Sequence, residues 1–352
     1  MKIVRTDMEL QMPHVDKTLR DMGHDIVLLP DGVTQADLIQ ATRDADLILM
    51  CYTPITREVI EASPQLAGIV KYGVGIDAID IPAAIERGIP VVNIPEYAEE
   101  TVAEGAFTML LALAKKLTEL DRHMRQTGWT WPEAKWLCSD IAGKTVGVVG
   151  LGKIGKSLAR MAGAGFRARV VAYDPYVSHS EMARLGVQKF DTLHDMLAEC
   201  DFISLHSVLN AETRNLLSHR EFAAMKRGAI LINVARGALI DEDALRQALL
   251  SGHLEAVGLD VFCSEPLNLE THPLSDLFAM ENVILSPHLT FFSKEAMDRL
   301  QSETLARCQE IIDGRPVTVH SHDPRLRAQS TQVSFPDQTT DPTSRGQSHG
   351  RA

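Results

Sequence analysis

Three polar side chains in the second half of the chain have the types and the placement to do chemistry together. Arg236 ends the run Ile230-Leu-Ile-Asn-Val-Ala-Arg236, Glu265 follows Val257-Gly-Leu-Asp-Val-Phe262, and His288 follows Val283-Ile-Leu-Ser-Pro287. If these apolar runs are strands of an open α/β sheet, the three residues lie beyond the carboxyl ends of the strands, where such sheets bind ligands. An arginine fork matches a carboxylate bidentately and can polarise an adjacent carbonyl oxygen. A histidine can deliver or remove the proton on that oxygen. A glutamate hydrogen-bonded to the imidazole orients it and favours its charged form. Taken singly, each has an inert reading: a helix-capping arginine, a solvated glutamate before Pro266, or one surface histidine among 13. Together they read as one acid–base and carboxylate-binding set, with any hydride transfer belonging to a cofactor.

A cofactor signature lies upstream. Gly150-Leu-Gly-Lys-Ile-Gly155 follows the strand-like run Lys144-Thr-Val-Gly-Val-Val149 and opens a helical stretch, Ile154 to about Ala164. Gly150 permits the tight turn, Gly152 lets backbone approach a pyrophosphate, and Gly155 lets the helix pack on the strand. Lys153 and Ile154 complete the loop, and the helix start offers unpaired N–H groups to phosphate. Asp174 closes the next run, Arg169–Tyr173, near the spacing of about 20 residues at which an acidic residue reads the ribose. Its carboxylate accepts from a 2′,3′-diol and repels a 2′-phosphate, so the expected cofactor is NAD.

These residues need a scaffold. Strand-like runs Lys2–Arg5, Asp25–Leu29, Leu47–Tyr52, Gly68–Tyr72 and Pro90–Asn93 alternate with helical periodicity in the first part of the chain. A second alternation places strands at Thr145–Val149, Arg169–Tyr173, Phe202–His206, Ala229–Asn233, Ala256–Asp260 and Val283–Leu285. Such alternation predicts parallel sheets covered by helices. Between the two lies one long helix, about Ala98 to Arg125, apolar nearly all round at its centre. Trp129, Trp131 and Trp136 follow it, suiting either a partner surface or core burial. A last helix is expected over about Lys294 to Asp313. Residues 321–352 are polar and aperiodic, so they are expected to be disordered and to leave no regulatory domain.

Composition narrows the class. The 352 residues carry a formal net charge of -12, which argues against a nucleic-acid-binding surface. The longest apolar run, Phe107 to Ala114, falls short of the roughly 18 residues of a membrane span. The start shows no signal-peptide pattern. Five cysteines without metal-ligand spacing read as free thiols in a reducing compartment, so a cytoplasmic protein with no metal is expected.

The glycine loop, Asn233-Val-Ala-Arg-Gly-Ala-Leu-Ile-Asp241, Gly258-Leu-Asp-Val-Phe262 with Glu265-Pro266, and Ser286-Pro-His288 together resemble the D-isomer-specific 2-hydroxyacid dehydrogenases. Tyr72-Gly-Val-Gly-Ile-Asp-Ala-Ile-Asp80 resembles their substrate loop. The likeness covers about residues 40–315. It implies an α/β fold of two doubly wound parallel-sheet domains, a Rossmann NAD-binding domain (96–290) inserted into a flavodoxin-like substrate domain (1–95 and 291–320). It also implies NAD-dependent interconversion of a small D-2-hydroxy acid and its 2-keto acid by a homodimer, with the tryptophan stretch as the linking arm.

By resemblance, Arg236, Glu265 and His288 are the catalytic set, and the amides of Val74 and Gly75 bind the substrate carboxylate, with Tyr52 nearby. Asp260 lies near the nicotinamide carboxamide, and Thr101, His206 and Ala235 line the cofactor. The chain departs from the family in Cys263-Ser264 before Glu265, in Lys153 where arginine is commoner, and in Tyr97-Ala-Glu-Glu100. Cys263 near the site is either a reactive thiol or, more in keeping with its neighbours, a packed one. Asn93-Ile-Pro-Glu-Tyr-Ala and Pro287-His-Leu-Thr-Phe-Phe-Ser293 also resemble NAD(H)-sensing corepressors of the same fold, which leaves a binding protein as the alternative to an enzyme.

Overall fold

A computed structural model of the chain describes residues 1–336. The chain divides into two units, Met1–Tyr97 with the chain from Lys294, and Ala98–Ser293. In the first unit the strands are β1 (Lys2–Arg5), β2 (Asp25–Leu28), β3 (Leu47–Met50), β4 (Gly68–Lys71) and β5 (Val91–Asn93). They form one parallel sheet in the order β2-β1-β3-β4-β5. Strands β3, β4 and β5 are buried along their whole length, which is why they read as unbroken apolar runs rather than alternating ones. Arg5 leaves β1 in a buried bidentate pair with Asp16, both bonds 2.8 Å, and so ties the helix Pro13–Asp21 to the sheet.

The second unit contains β6 (Thr145–Val149), β7 (Arg169–Tyr173), β8 (Gln188–Lys189), β9 (Phe202–Leu205), β10 (Ala229–Asn233), β11 (Leu254–Leu259) and β12 (Val283–Leu285). Their order is β12-β11-β10-β9-β6-β7-β8, with every pairing parallel. The winding reverses between β6 and β9, the switch point at which doubly wound sheets open a ligand crevice. One face of the sheet packs on the helices Glu99–Ala114 and Lys153–Arg160. The other packs on Leu193–Glu199, His219–Ala224 and Glu242–Leu250.

Three expectations need correction. The helix expected over 98–125 is two, Glu99–Ala114 and Leu117–Thr127, broken at Lys116, which takes a left-handed φ of +50°. There the Ser139 N–H caps the Ala114 carbonyl at 2.9 Å, and the Lys116 ammonium lies 3.6 Å from Glu255. The second helix buries no residue, and Trp129 and Trp131 are 63% and 73% exposed, so core burial of this stretch within the chain is ruled out.

The third concerns the end of the chain. Residues 321–336, expected to be disordered, carry the helix Pro324–Arg327 and the strand β14 (Val333–Ser334), which pairs with β13 (Val317–Thr318). Leu326 is fully buried. The Gln329 side chain accepts from Val91 N–H at 2.7 Å and donates to Val91 O at 2.9 Å, so an amide side chain takes the place of a strand partner at the open edge of β5. Composition counts that glutamine as solvated. The remaining residues of the expected tail, 337–352, lie outside the described part.

Candidate active site

Strand β6 ends at Val149, and the chain turns at Gly150, whose φ is +91°. A Cβ there would lie 2.7 Å from Ser207 N and 2.8 Å from His206 C, at the end of β9, so both the backbone angle and the space demand glycine. At Gly152 nothing lies within 4 Å of the Cβ position, which leaves the loop backbone open to approach just before the helix Lys153–Arg160. At Gly155 a Cβ would collide with the Gly150 carbonyl. Gly155→Ala therefore forces backbone from backbone, at a cost of about 1–3 kcal/mol. The expected result is a lower Tm together with weaker NADH binding, read by thermal unfolding with and without NADH. Unchanged values of both would refute this packing role.

Other expected cofactor residues surround the loop. Asp174 accepts from Leu151 N–H at 2.8 Å and Tyr176 N–H at 2.9 Å, which fixes its carboxylate against the glycine turn. Glu99 lies 3.7 Å from Lys153, and Glu100 accepts from Ser157 and Arg160 at 2.8 and 2.7 Å, setting the turn that carries Thr101 beside the glycine-loop helix. His206 follows β9 with Nε2 at 2.9 Å from Ser204 Oγ. Burial pushes its imidazolium down to about 3, so the ring is neutral. Its Nδ1 is buried without a hydrogen-bond partner among the described residues. An open glycine turn at a helix start and an unpaired buried ring nitrogen beside it fit a bound dinucleotide.

The catalytic candidates stand on the other side of β9. Asn233, the last residue of β10, accepts from Ala235 N–H at 3.0 Å and donates to Arg236 O at 2.9 Å, a side-chain turn that sets the Ala235–Arg236 backbone. The Arg236 guanidinium donates to Ala235 O at 2.7 Å. Gly237 rests against the Phe262–Cys263 peptide, where a Cβ would have no room, so the loops after β10 and β11 are in backbone contact. Beyond β11, Asp260 is fully buried and accepts from Leu289 N–H (2.9 Å), Thr290 N–H (3.1 Å) and Thr290 Oγ1 (2.5 Å). It anchors the loop that carries His288.

His288 sits at the left-handed φ of +57°, a conformation a non-glycine residue adopts at a cost. Its Nδ1 lies 2.7 Å from Glu265 Oε2, and Glu265 Oε1 accepts from Phe262 N–H at 2.8 Å. This contact engages Nδ1, so any proton transfer by the ring would fall to Nε2. Burial pushes the Glu265 carboxyl up, but His288, the Phe262 amide and the Arg236 charge outweigh it and hold the carboxyl below its ordinary value. A depressed carboxyl contributes stability above its unfolded pKa and loses it as pH falls through the folded one. Wild type and Glu265→Gln should therefore differ in Tm by a constant amount at neutral pH and converge below about pH 4.3. A difference that already fades between pH 7 and 5 would contradict the depressed value. Cys263 is exposed rather than packed, and desolvation of its sulfur together with the Glu242 charge pushes the thiol up to about 12, away from the thiolate.

The expected substrate residues belong to the first unit. Tyr52 follows β3, and Val74 and Gly75 follow β4; Tyr52 and Val74 are exposed. Asn93 Nδ2 donates to Val74 O at 2.6 Å. Sequence reasoning overlooked Asp7, buried at a φ of +55°, whose carboxylate accepts from the amides of Cys51, Tyr52 and Thr53 at 2.8–3.0 Å and so shapes the Tyr52 loop. An aspartate just past a strand was the available signal. Asn233 and Gly237 sat inside a quoted motif without being singled out. Their offsets from the strand end announce a turn and a close approach.

Residues 107–290 match the family model described as D-isomer specific 2-hydroxyacid dehydrogenase, NAD binding domain. The D-3-phosphoglycerate dehydrogenase of Mycobacterium bovis is 42% identical over 270 residues, 76% of this chain and 49% of that protein. The glyoxylate reductase of Korarchaeum cryptofilum is 39% identical over 266 residues, 75% of this chain and 78% of that one. Among solved structures, a protein from Thermus thermophilus has a TM-score of 0.81 at 33% identity, covering 90% of this chain and 98% of its own. The D-lactate dehydrogenase of Aquifex aeolicus, solved with NAD and lactic acid, has a TM-score of 0.80 at 28% identity, covering 89% and 96%. The chain spans about half the length of the phosphoglycerate dehydrogenase it matches.

Proposed function

The chain belongs to the D-isomer-specific 2-hydroxyacid dehydrogenase family, and on that premise we propose that it interconverts a small D-2-hydroxy acid and its 2-keto acid with NAD. The observation that carries the proposal is the 2.7 Å contact of His288 Nδ1 with Glu265 Oε2, next to Arg236 and in the same sheet as the glycine loop. NAD, when bound, supplies or takes the hydride. His288 holds the proton at Nε2 that passes to the carbonyl oxygen in reduction and returns in oxidation. Glu265 balances the charge on the imidazole. Arg236 grips the substrate carboxylate and polarises the carbonyl. Val74 and Gly75 are proposed, by family likeness, as a carboxylate-binding loop of the first unit. Gly150, Gly152, Lys153, Ile154 and Gly155 hold the pyrophosphate, and Thr101, His206, Ala235 and Asp260 line the rest of the cofactor site.

The similar proteins are named for 3-phosphoglycerate, glyoxylate and lactate, which share a carboxylate beside a carbon bearing a hydroxyl or oxo group and differ in the rest of the acid. Steady-state NADH oxidation with a panel of 2-keto acids tests the reading. Turnover supports it; tight NADH binding without turnover on any of them would favour the sensor. Asp174→Ala should relax the preference for NAD, measured as the NAD/NADP ratio of kcat/KM. An unchanged ratio would mean that another residue reads the ribose. We further propose a homodimer joined through the Trp129–Trp136 arm, since the exposed Trp129 and Trp131 suit a partner surface.

A further inference from the structure

We infer that Glu242, with His272, is a positioning residue for the catalytic dyad: one oxygen of its carboxylate bonds the start of the loop that carries Glu265 and lies against the buried His272 ring at its end. The kinetic consequences rest on the dehydrogenase reading above; the structural ones do not.

Asp241 caps the helix Glu242–Leu250 through Ala244 N–H at 3.2 Å, which sets Glu242 in its first turn. The Glu242 side chain is only 11% exposed. A buried carboxylate needs partners, and these are supplied by the neighbouring loop. Its Oε1 accepts the Cys263 N–H at 3.0 Å. The same oxygen faces His272 Nε2 at 3.7 Å, from a ring that is 4% exposed. His272 Nδ1 accepts the Leu274 N–H at 3.2 Å, so Nε2 is the ring atom on the Glu242 side, buried and beyond hydrogen-bond reach of that carboxylate. The ring also stands edge-on to Phe262, centroids 6.2 Å apart.

Glu242 thus bonds the first end of the loop at Cys263, and the buried His272 ring packs beside the same oxygen at the other end. Glu265 lies inside that loop. Its Oε1 takes the Phe262 N–H while Glu242 takes the next amide, that of Cys263. Two carboxylates therefore divide two consecutive amides, and the orientation of the peptide between them decides where Glu265 Oε2 can meet His288. Gly237 makes room for that peptide. Without Glu242, the Cys263 amide loses its acceptor and the loop its closure. A displacement of about 1 Å in a catalytic group can cost on the order of 10²-fold in rate.

The test uses Glu242→Ala, Glu242→Gln, His272→Ala and Glu265→Gln in the full chain. Hydrogen exchange over residues 261–274 should accelerate about tenfold or more in E242A and H272A. It should stay near wild type in E242Q, whose amide oxygen still accepts from Cys263. NADH affinity should remain within about twofold throughout. On the best 2-keto acid, E242A should lose about 10²-fold in kcat with little change in KM, and E242Q should recover most of it. The E242A/E265Q double variant should lose no more than E265Q alone, because both changes act on one group. Wild-type exchange in E242A, or multiplicative losses in the double variant, would overturn the inference. If E242A does not fold, H272A and E242Q carry the same decision through exchange and kcat. A wild-type protein that turns over no 2-keto acid would refute the dehydrogenase reading, while the exchange comparison would still decide the role of Glu242.

Discussion

Replacing His288 with alanine lowers kcat by about 10²–10⁴-fold, the range for loss of a positioned general acid–base, and leaves NADH binding intact. The expectation rests on the separation of tasks in the second unit. Cofactor contacts are assigned to the glycine loop after β6, to Asp174 after β7 and to His206 after β9, whereas His288 stands beyond β12 with its Nδ1 on Glu265. Burial keeps the His206 ring neutral at working pH, so it is a poor substitute as a proton donor. The left-handed backbone at position 288 adds a check, because alanine tolerates it no better than histidine. Loss of activity through strain alone would not appear in His288→Asn, since asparagine adopts that conformation readily, whereas asparagine cannot exchange a proton at neutral pH. Both variants should therefore lose kcat while hydrogen exchange in the loop after β12 stays near wild type. Near-wild-type kcat in either variant refutes the assignment.

Arg236→Ala should cost about 10²–10³-fold in kcat/KM, the scale of a removed oxyanion-type donor, with the KM for the keto acid rising. A lysine in its place should recover little, because a point charge does not reproduce the planar fork. Added guanidinium should restore part of the activity of the alanine variant and none of that of H288A. The arginine has a second task. Its charge is among the influences that hold the Glu265 carboxyl down against burial, so its removal raises the Glu265 pKa. In Arg236→Ala the Tm difference between glutamate and glutamine at position 265 should accordingly be smaller at neutral pH and finish fading at a higher pH than in the wild-type background. A kcat/KM within threefold of wild type would remove Arg236 from the site.

Every strand expected from an apolar run is present, and those of the two large sheets pair in parallel, because burial on both faces leaves an unbroken apolar run in the sequence. The glycine loop was legible for a related reason: at Gly150 and Gly155 the backbone angle or a neighbouring carbonyl excludes any Cβ, so the residue type records the geometry. Strand-end residues could likewise be named as a set, since a parallel sheet gathers its carboxyl ends on one edge.

Partnerships between side chains distant in sequence were not legible. Nothing local shows that Asp260 is spent on the Leu289 and Thr290 amides, that Gln329 completes the edge of β5, or that Glu242 and Glu265 divide the amides of two consecutive residues. The helix break at Lys116 is equally silent, because lysine favours helix and only its tertiary surroundings set it left-handed. Local pattern records which residues are buried and where backbone must turn. Which polar groups then satisfy one another depends on distances of a few tenths of an ångström, and only the packed chain sets those. The sequence by itself determined the two sheets, the glycine loop and the candidates for a catalytic set; the tertiary structure alone decided how those candidates are held.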